Sequence, residues 1–416
     1  MTRLLMMKKT TKLTLAMAAI AACNAAIANP VTSAFSESKP IIDLRLRYET
    51  VDQEPFVNDA TATTARARLG FDTGKAWNTS LLLEGEFVGA LQDDYNSTTN
   101  GKTTYPVVVD PKVTQFNRFQ LTNTSITGTT ITLGRQRINI DDQRFIGNVG
   151  WRQNEQTLDA LRVVTKPGGV LTLDATYSNR VNRIFGEDSI QGVYKGDFIF
   201  LNAAYPFAVG KLTAFGYFMD IDPIVGVAAA VRDSTSTLGL RFAGQQNIGK
   251  VKVTYSASYA TQKDYADNPL DFSNDYYLAE AGVTFRQWSA GLGVENLDGN
   301  GTKGFTTPLA TLHKFQGWAD KFLTTPVNGI NDKYLNAGFA TKGVGPFETV
   351  ALTAAYHTFD STRLSQDLGS EIDLQVTAKW RRFTGLVKYA DYSANNTTPA
   401  AYSDTKKFWT EIGFVW

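Results

Sequence analysis

Residues 407–416 read KFWTEIGFVW, and the chain ends on this aromatic residue. Phe408 and Ile412 fall on one face of an extended strand, whereas Lys407 and Glu411 fall on the other. Strict alternation of apolar and charged side chains is typical of a β-strand with one apolar and one polar environment. The segment therefore predicts a strand with one face toward lipid and one toward water.

The other end of the chain has the three parts of a secretory signal peptide. Basic residues up to Lys12 precede an apolar stretch at 13–23, and residues 26–28 (AIA) supply a cleavage pattern. We therefore expect residues 1–28 to be a signal peptide. A membrane anchor is the alternative, but eleven apolar residues fall short of the ~20 that a spanning helix needs. A lipobox-like run before Cys23 leaves lipoprotein processing open.

Composition excludes several classes of function. Without residues 1–28 the chain has 37 basic and 40 acidic residues, a formal charge of −3, which argues against a nucleic-acid partner. The single cysteine, Cys23, lies in the predicted leader, so the mature chain can form neither a disulfide nor a thiolate metal site. A mean hydropathy of −0.20 with 12% aromatic residues suits a transmembrane barrel, whose strands alternate lipid-facing and lumen-facing side chains.

Period-two alternation recurs along the chain and predicts eighteen strands, with sixteen as the second choice. In the first strand Leu44 and Leu46 oppose Arg45 and Arg47, and the next two strands surround Ala67 and Leu83. We predict the others near residues 114–123, 129–138, 156–166, 170–180, 197–205, 210–220, 232–243, 249–262, 275–286, 288–297, 332–341, 347–358, 370–380, 383–391 and 406–416. An even series of this kind, closing on an aromatic residue, resembles an antiparallel up-and-down outer-membrane β-barrel.

The connections between these strands alternate in length, as expected when short periplasmic turns alternate with long external loops. This pattern predicts that both termini are periplasmic, with a short periplasmic segment at 29–40 and the barrel at 41–416. Two insertions, at 139–155 and 298–331, are the most specialised loops. Four tryptophans fall at the predicted periplasmic edge, where amphipathic rings suit the headgroup level: Trp77, Trp288, Trp380 and Trp416.

Catalysis has little support in the sequence, so we predict no enzyme activity and no cofactor. Only His313 and His357 are available as acid or base near neutral pH, and neither lies in a nucleophile or metal-binding motif. Residues 298–302 (DGNGT) resemble the start of a calcium loop but lack the closing Glu. We therefore expect a glycine-rich loop tip there and no metal.

Arginine is the side chain most informative about function. Guanidinium groups bind carboxylates and phosphates in a bidentate way, and a confined lumen strengthens their field. The candidate pore or substrate-binding residues are Arg45, Arg47, Arg66, Arg68, Arg118, Arg135, Arg137, Arg144 and Arg152. The alternative is a structural wall network in which these arginines pair with Asp43, Glu49, Asp72, Glu84 and Glu86.

Both specialised loops carry apolar residues that a loop in water would not need. Phe145, Ile146 and Trp151 occur within the charged segment 134–155, which we expect to fold against or into the pore. Segment 307–323 has apolar residues at near-helical spacing and predicts a short plug or lid helix. Its candidate gating residues are His313, Trp318, Asp320 and Lys321.

These loops carry a family resemblance. Residues 134–155, together with 308–312 (PLATL) and 317–322 (GWADKF), resemble the alginate-export family of bacterial outer-membrane porins. The resemblance implies an eighteen-stranded monomeric barrel with an arginine-lined, electropositive constriction that passes an anionic uronate polymer. The chain is short for a dedicated alginate exporter and its predicted lumen is mixed in charge, so small anions, sugars and aromatic acids are alternative solutes.

The sequence thus predicts an outer-membrane porin or export channel with an anion-attracting pore. The alternatives are a general diffusion porin for small organic acids or sugars, an outer-membrane hydrolase, and an adhesin barrel. Expected partners are membrane lipid, lipopolysaccharide, the barrel-assembly machinery through the C-terminal strand, and an anionic small molecule or polysaccharide.

Overall fold

The structure, a computed structural model, describes residues 29–227, 230–395, 398–399 and 402–416. The predicted signal peptide lies outside these residues. A short helix, α1 (Pro30–Ser36), is followed by eighteen strands. They are β1 (Lys39–Gln53), β2 (Ala60–Asp72), β3 (Thr79–Asp94), β4 (Val113–Asn123), β5 (Thr129–Gln136), β6 (Thr157–Thr165), β7 (Thr172–Asn182), β8 (Val193–Phe207), β9 (Gly210–Ile221), β10 (Thr235–Ile248), β11 (Val251–Asp264), β12 (Ser273–Phe285), β13 (Trp288–Leu297), β14 (Ile330–Val344), β15 (Phe347–Asp360), β16 (Asp367–Trp380), β17 (Phe383–Ser393) and β18 (Thr405–Val415).

The strands form one closed antiparallel barrel. Each strand pairs with its neighbours in sequence, and β18 pairs with β1 from Asp43 opposite Val415 to Gln53 opposite Thr405. This closure satisfies the backbone groups at both edges of the sheet, as a wall in lipid requires. The prediction of eighteen strands and of pairing between the last and first strands is confirmed.

Alternation along each strand separates an apolar outer face from a polar inner face. In β1, Leu44 and Leu46 are 40% and 45% exposed on the outside, whereas Arg47 is 1% exposed on the lumen side. Because the side-chain period of a strand is two, one face meets lipid and the other meets the lumen throughout. No helix in the described ranges is long and apolar enough to cross a membrane.

Connection length sorts the two ends of the barrel. Two-residue turns at 249–250, 286–287 and 381–382 lie at one end, here the short-turn end. Connections 95–112, 137–156 and 298–329 lie at the other, the long-loop end. The four tryptophans predicted at one rim all lie at the short-turn end and are exposed: Trp77, Trp288, Trp380 and Trp416.

Two long connections fold into the barrel. We call residues 137–156 the first lumen loop and residues 298–329 the second lumen loop. They bond to each other, for example from Gly147 N to Leu309 O at 2.8 Å. The plug helix predicted within 307–323 is wrong: the described backbone has only a 3-10 turn, Leu312–Lys314, because the segment is extended by its bonds to the wall and to the first loop.

Candidate functional site

Four of the predicted arginines share the lumen face of β1 and β2. Arg45 lies directly opposite Arg66 in the register of the two strands, and Arg47 and Arg68 are two positions away from them. They therefore project into one patch, which we call the arginine cluster.

Most of the arginine cluster is buried in ion pairs. Three members each donate to a carboxylate at 2.5–2.6 Å: Arg47 to Glu411, Arg66 to Asp43 and Arg68 to Glu86. The side chains of these arginines are only 1%, 1% and 4% exposed. Buried charges need such partners to offset their loss of hydration. For these three residues the geometry favours the wall network over direct contact with solute.

Arg45 is the more accessible member, with a side chain that is 18% exposed. Its Nη1 donates to the backbone oxygens of Gly150, Trp151 and Arg152 at 3.1, 3.1 and 3.2 Å. The Arg47 guanidinium lies 4.1 Å from the centre of the Trp151 ring. The arginine cluster therefore fastens the first lumen loop to the wall.

Glu155, at the end of the first lumen loop, is a second centre of ion pairing. It accepts two bonds from Arg137 at 2.7 and 2.5 Å and lies 3.5 Å from Arg68. Asn117 and Asn148 also donate to it at 2.6 Å. Burial alone would raise the pKa of Glu155, but the two guanidinium groups and these bonds lower it to about 2.

The remaining wall arginines divide between the two faces. Arg118 makes a bidentate pair with Glu84 at 3.0 and 2.6 Å on the lumen face. Arg135 shares its face with Leu133, which is 56% exposed, and pairs with Asp159. Arg135 therefore lies outside the lumen, and its assignment to the pore is wrong for that reason.

Arg144 and Arg152 hold the first lumen loop to distant parts of the barrel. Arg144 donates to Glu295 of β13 at 2.6 Å and to Thr307 of the second lumen loop at 2.8 Å. Arg152 donates to Glu49 of β1 at 2.9 Å. Both arginines are buried, so they connect loops and wall and do not line open space.

His313 of the second lumen loop occupies a buried polar chain. Its Nδ1 lies 2.7 Å from Asp320 and its Nε2 lies 2.7 Å from the ammonium group of Lys388. Burial lowers the pKa of His313 to about 3, so the ring is neutral, accepts from Lys388 and donates to Asp320. The ring also stacks on Trp151 of the first lumen loop at 4.3 Å.

The other predicted gating residues also contact the wall. The ammonium group of Lys388 lies 3.7 Å from the centre of the Trp318 ring. Asp320 accepts from Lys407 at 2.9 Å, and Lys321 donates to Thr405 at 2.8 Å. The second lumen loop is thus fastened to β17 and β18.

Sequence reasoning missed two lumen cations, Lys388 and Arg241. Arg241 pairs with Asp142 of the first lumen loop at 2.9 Å. Both follow the alternation of their strands, since Leu238 and Leu240 are 52% and 51% exposed on the opposite face of β10. The parity that identified Arg45 could have identified them.

The remaining titratable candidates have wall or turn roles. His357 faces the lumen and lies 2.9 Å from Asp332, as its position on the polar face predicts. Asn300, in the loop that faintly resembled a calcium site, uses its Oδ1 to accept from Thr302 and Lys303 and so closes the turn. Within the described ranges no group of three His, Cys, Asp or Glu side chains is arranged to hold a metal.

Solved structures with the same fold cover 92% of this chain. OpdK of Pseudomonas aeruginosa with vanillate is 12% identical, with a TM-score of 0.67 and 99% of that chain covered. OccK5 (OpdH) and OpdQ of the same organism are 10% and 14% identical, each with a TM-score of 0.68 and 99% coverage. At these identities the likeness shows the fold alone. No curated protein matches the chain.

The family comparison is more specific. A model of the alginate export family matches residues 114–398, which is more than half of the chain. This match spans both lumen loops and the strands from β5 to β17. With the closed barrel, it places the protein in the bacterial outer membrane as a transport barrel. The chain belongs to the alginate-export family of outer-membrane porins.

Proposed function

We propose that the protein is a passive, anion-biased channel for carboxylated solutes, among which uronate oligomers are the leading class. The observation that carries this proposal is the arginine cluster with Arg45, whose guanidinium remains 18% exposed within a polar lumen. A low-dielectric wall around a lumen focuses the field of such a group onto passing ions.

The alternative within the same class is a general diffusion porin for small organic acids or sugars. It is supported by the close pairing of lumen arginines with carboxylates, which reduces the net field. A structural relative, OpdK, has been solved with vanillate, which is a small carboxylate. We extend small carboxylates to this chain as a proposal only.

Transport is favoured over hydrolysis by the state of the two histidines. His313 is enclosed by Asp320 and Lys388, and His357 is held by Asp332, so both rings serve ion-paired structure. A hydrolase needs a histidine that is free to take a proton from a nucleophile. We further propose that the barrel acts as a monomer in lipid and lipopolysaccharide, and that the assembly machinery recognises β18.

The test is the reversal potential in planar bilayers under a KCl gradient. We expect the wild-type protein to prefer chloride, and Arg45→Ser to shift the reversal potential toward potassium. Arg135→Ser removes the same charge from the outer face and should leave the reversal potential unchanged. Absence of conductance, or a wild-type preference for potassium, would contradict the proposal.

A further inference from the structure

The wall opposite the arginine cluster has small side chains on its lumen face. Across β11–β14, Thr254 lies directly opposite Gly282, Gly282 opposite Gly291, and Gly291 opposite Asn336. Directly paired residues project to the same side of a sheet. Together with Arg241 of β10 they line a cavity of about 350 Å³, which we call the glycine groove.

Two glycines are required for the shape of this groove. A Cβ added at Gly282 would lie 2.8 Å from Thr254 Oγ1, and one added at Gly291 would lie 2.7 Å from Asn336 Oδ1. The neighbouring side chains therefore lie flat across the glycines, and the wall is thin there. Larger residues would raise these side chains into the lumen and narrow it.

Water reaches the glycine groove more readily than the arginine cluster. Ser289 and Asn336 are exposed although both face the lumen, whereas Arg47 and Arg66 across the barrel are 1% and 3% exposed. The lumen loops bond to the arginine cluster and fill that side. A solute that crosses the barrel therefore has more room beside the glycines.

The polar groups of the groove suit a solute with both hydroxyl and carboxylate groups. Glu280 accepts from Ser256 at 2.8 Å and from Tyr334 at 2.5 Å, which fixes an acceptor at the wall. Arg241 lies 2.9 Å from Asp142, a residue of a loop and not of the wall. A guanidinium group has five donors, so Arg241 can bind a second carboxylate or exchange its loop partner for one.

We propose that solute crosses the barrel along the glycine groove, where Arg241 binds the carboxylate of a hydroxylated acid and Asn336 and Glu280 bind its hydroxyl groups. This inference rests on the channel function proposed above. The arginine cluster then acts on the solute through its field, across the lumen, while the groove makes the contacts.

Thiol modification tests the route, in a chain whose one cysteine has been replaced by Cys23→Ser. Ser289→Cys places a thiol in the groove at the second position of β13. Thr384→Cys places one at the second position of β17, also exposed and lumen-facing but on the other side. We expect an anionic methanethiosulfonate reagent to reduce the conductance of Ser289→Cys by more than about half and that of Thr384→Cys little.

A second variant tests the binding chemistry with glucuronate as the probe. Glucuronate should reduce the chloride current of the wild type, and Arg241→Gln should weaken this block about tenfold because a charge-assisted pair is lost. Glucose lacks the carboxylate, so any block it causes should be the same in both proteins. Heat-modifiable gel mobility reports whether each variant is folded.

The outcomes separate the groove from the channel function. A conducting protein with equal thiol block at both positions, or with glucuronate block unaffected by Arg241→Gln, would overturn the groove and leave the proposed function intact. A wild-type protein that does not conduct would overturn both.

Discussion

Arg68 lies between the carboxylates of Glu86 and Glu155, with a side chain that is 4% exposed. Removing one side of a buried ion pair costs about 3–5 kcal/mol because the other charge remains desolvated. We therefore expect Arg68→Ala to lower the free energy of unfolding by about 3 kcal/mol or more, measured by urea denaturation in lipid vesicles.

The matched control for this residue is Arg137→Ala. Arg137 pairs with the same Glu155 but is 32% exposed, so we expect a loss of about 1 kcal/mol or less. Equal losses in the two variants would show that burial does not set the strength of this network.

His313 makes stability depend on pH. Burial lowers its pKa to about 3, whereas an unfolded histidine has a pKa of about 6.5. As the pH falls, the unfolded chain binds the proton first, so the stability from neutral His313 is complete above about pH 6.5 and is lost toward pH 3. We expect the stability difference between wild type and His313→Gln to shrink between pH 7 and pH 4, measured by urea denaturation at several pH values.

The groups around His313 determine the control. Asp320, Lys388 and Arg152 face or adjoin the ring, and they remain in His313→Gln, so their titration is common to both proteins. A stability difference that is constant from pH 7 to pH 4 would mean that His313 binds its proton equally well in both states.

At the scale of elements, strands are predictable because their pattern is local. Alternation predicts β13 at 288–297, and the structure has Trp288–Leu297. The first lumen loop is different: its apolar residues predict an inward fold, but Arg144 bonds to Glu295, which is 151 positions away. No local period encodes such a partner. Arg135 is an error of the opposite kind, since its parity with Leu133 already places it outside.

The second lumen loop can be removed at its base. Gly299 lies against Gly329, since a Cβ added at Gly299 would be 2.3 Å from the Gly329 nitrogen. Deleting residues 300–328 should therefore leave β13 and β14 paired and raise single-channel conductance severalfold, because Trp318 and its neighbours leave the lumen. Shortening connection 265–272 is the control and should have little effect. An unchanged conductance after the first deletion would favour an adhesin role for the loop.

At the scale of the whole molecule, the barrel separates support from passage. Long-range ion pairs join the lumen loops to the arginine side of the wall, from Arg47 through to Asp320. The glycine groove lies on the other side, where side chains are small and exposed. A closed sheet permits this division because every strand offers its inner face independently of its neighbours. The charged side then holds the plug, and the uncharged wall leaves room for solute.

The orientation of this barrel in the membrane is a prediction that whole cells can test. Long loops of bacterial barrels face the exterior and short turns face the periplasm. Val225, in the connection before β10, is 96% exposed at the long-loop end, and Ile248, beside a two-residue turn, is 67% exposed at the short-turn end. In the Cys23→Ser background, an impermeant maleimide should label Val225→Cys but not Ile248→Cys in intact cells, and both after lysis. Labelling of Ile248→Cys alone in intact cells would invert the topology and place both ends of the chain outside.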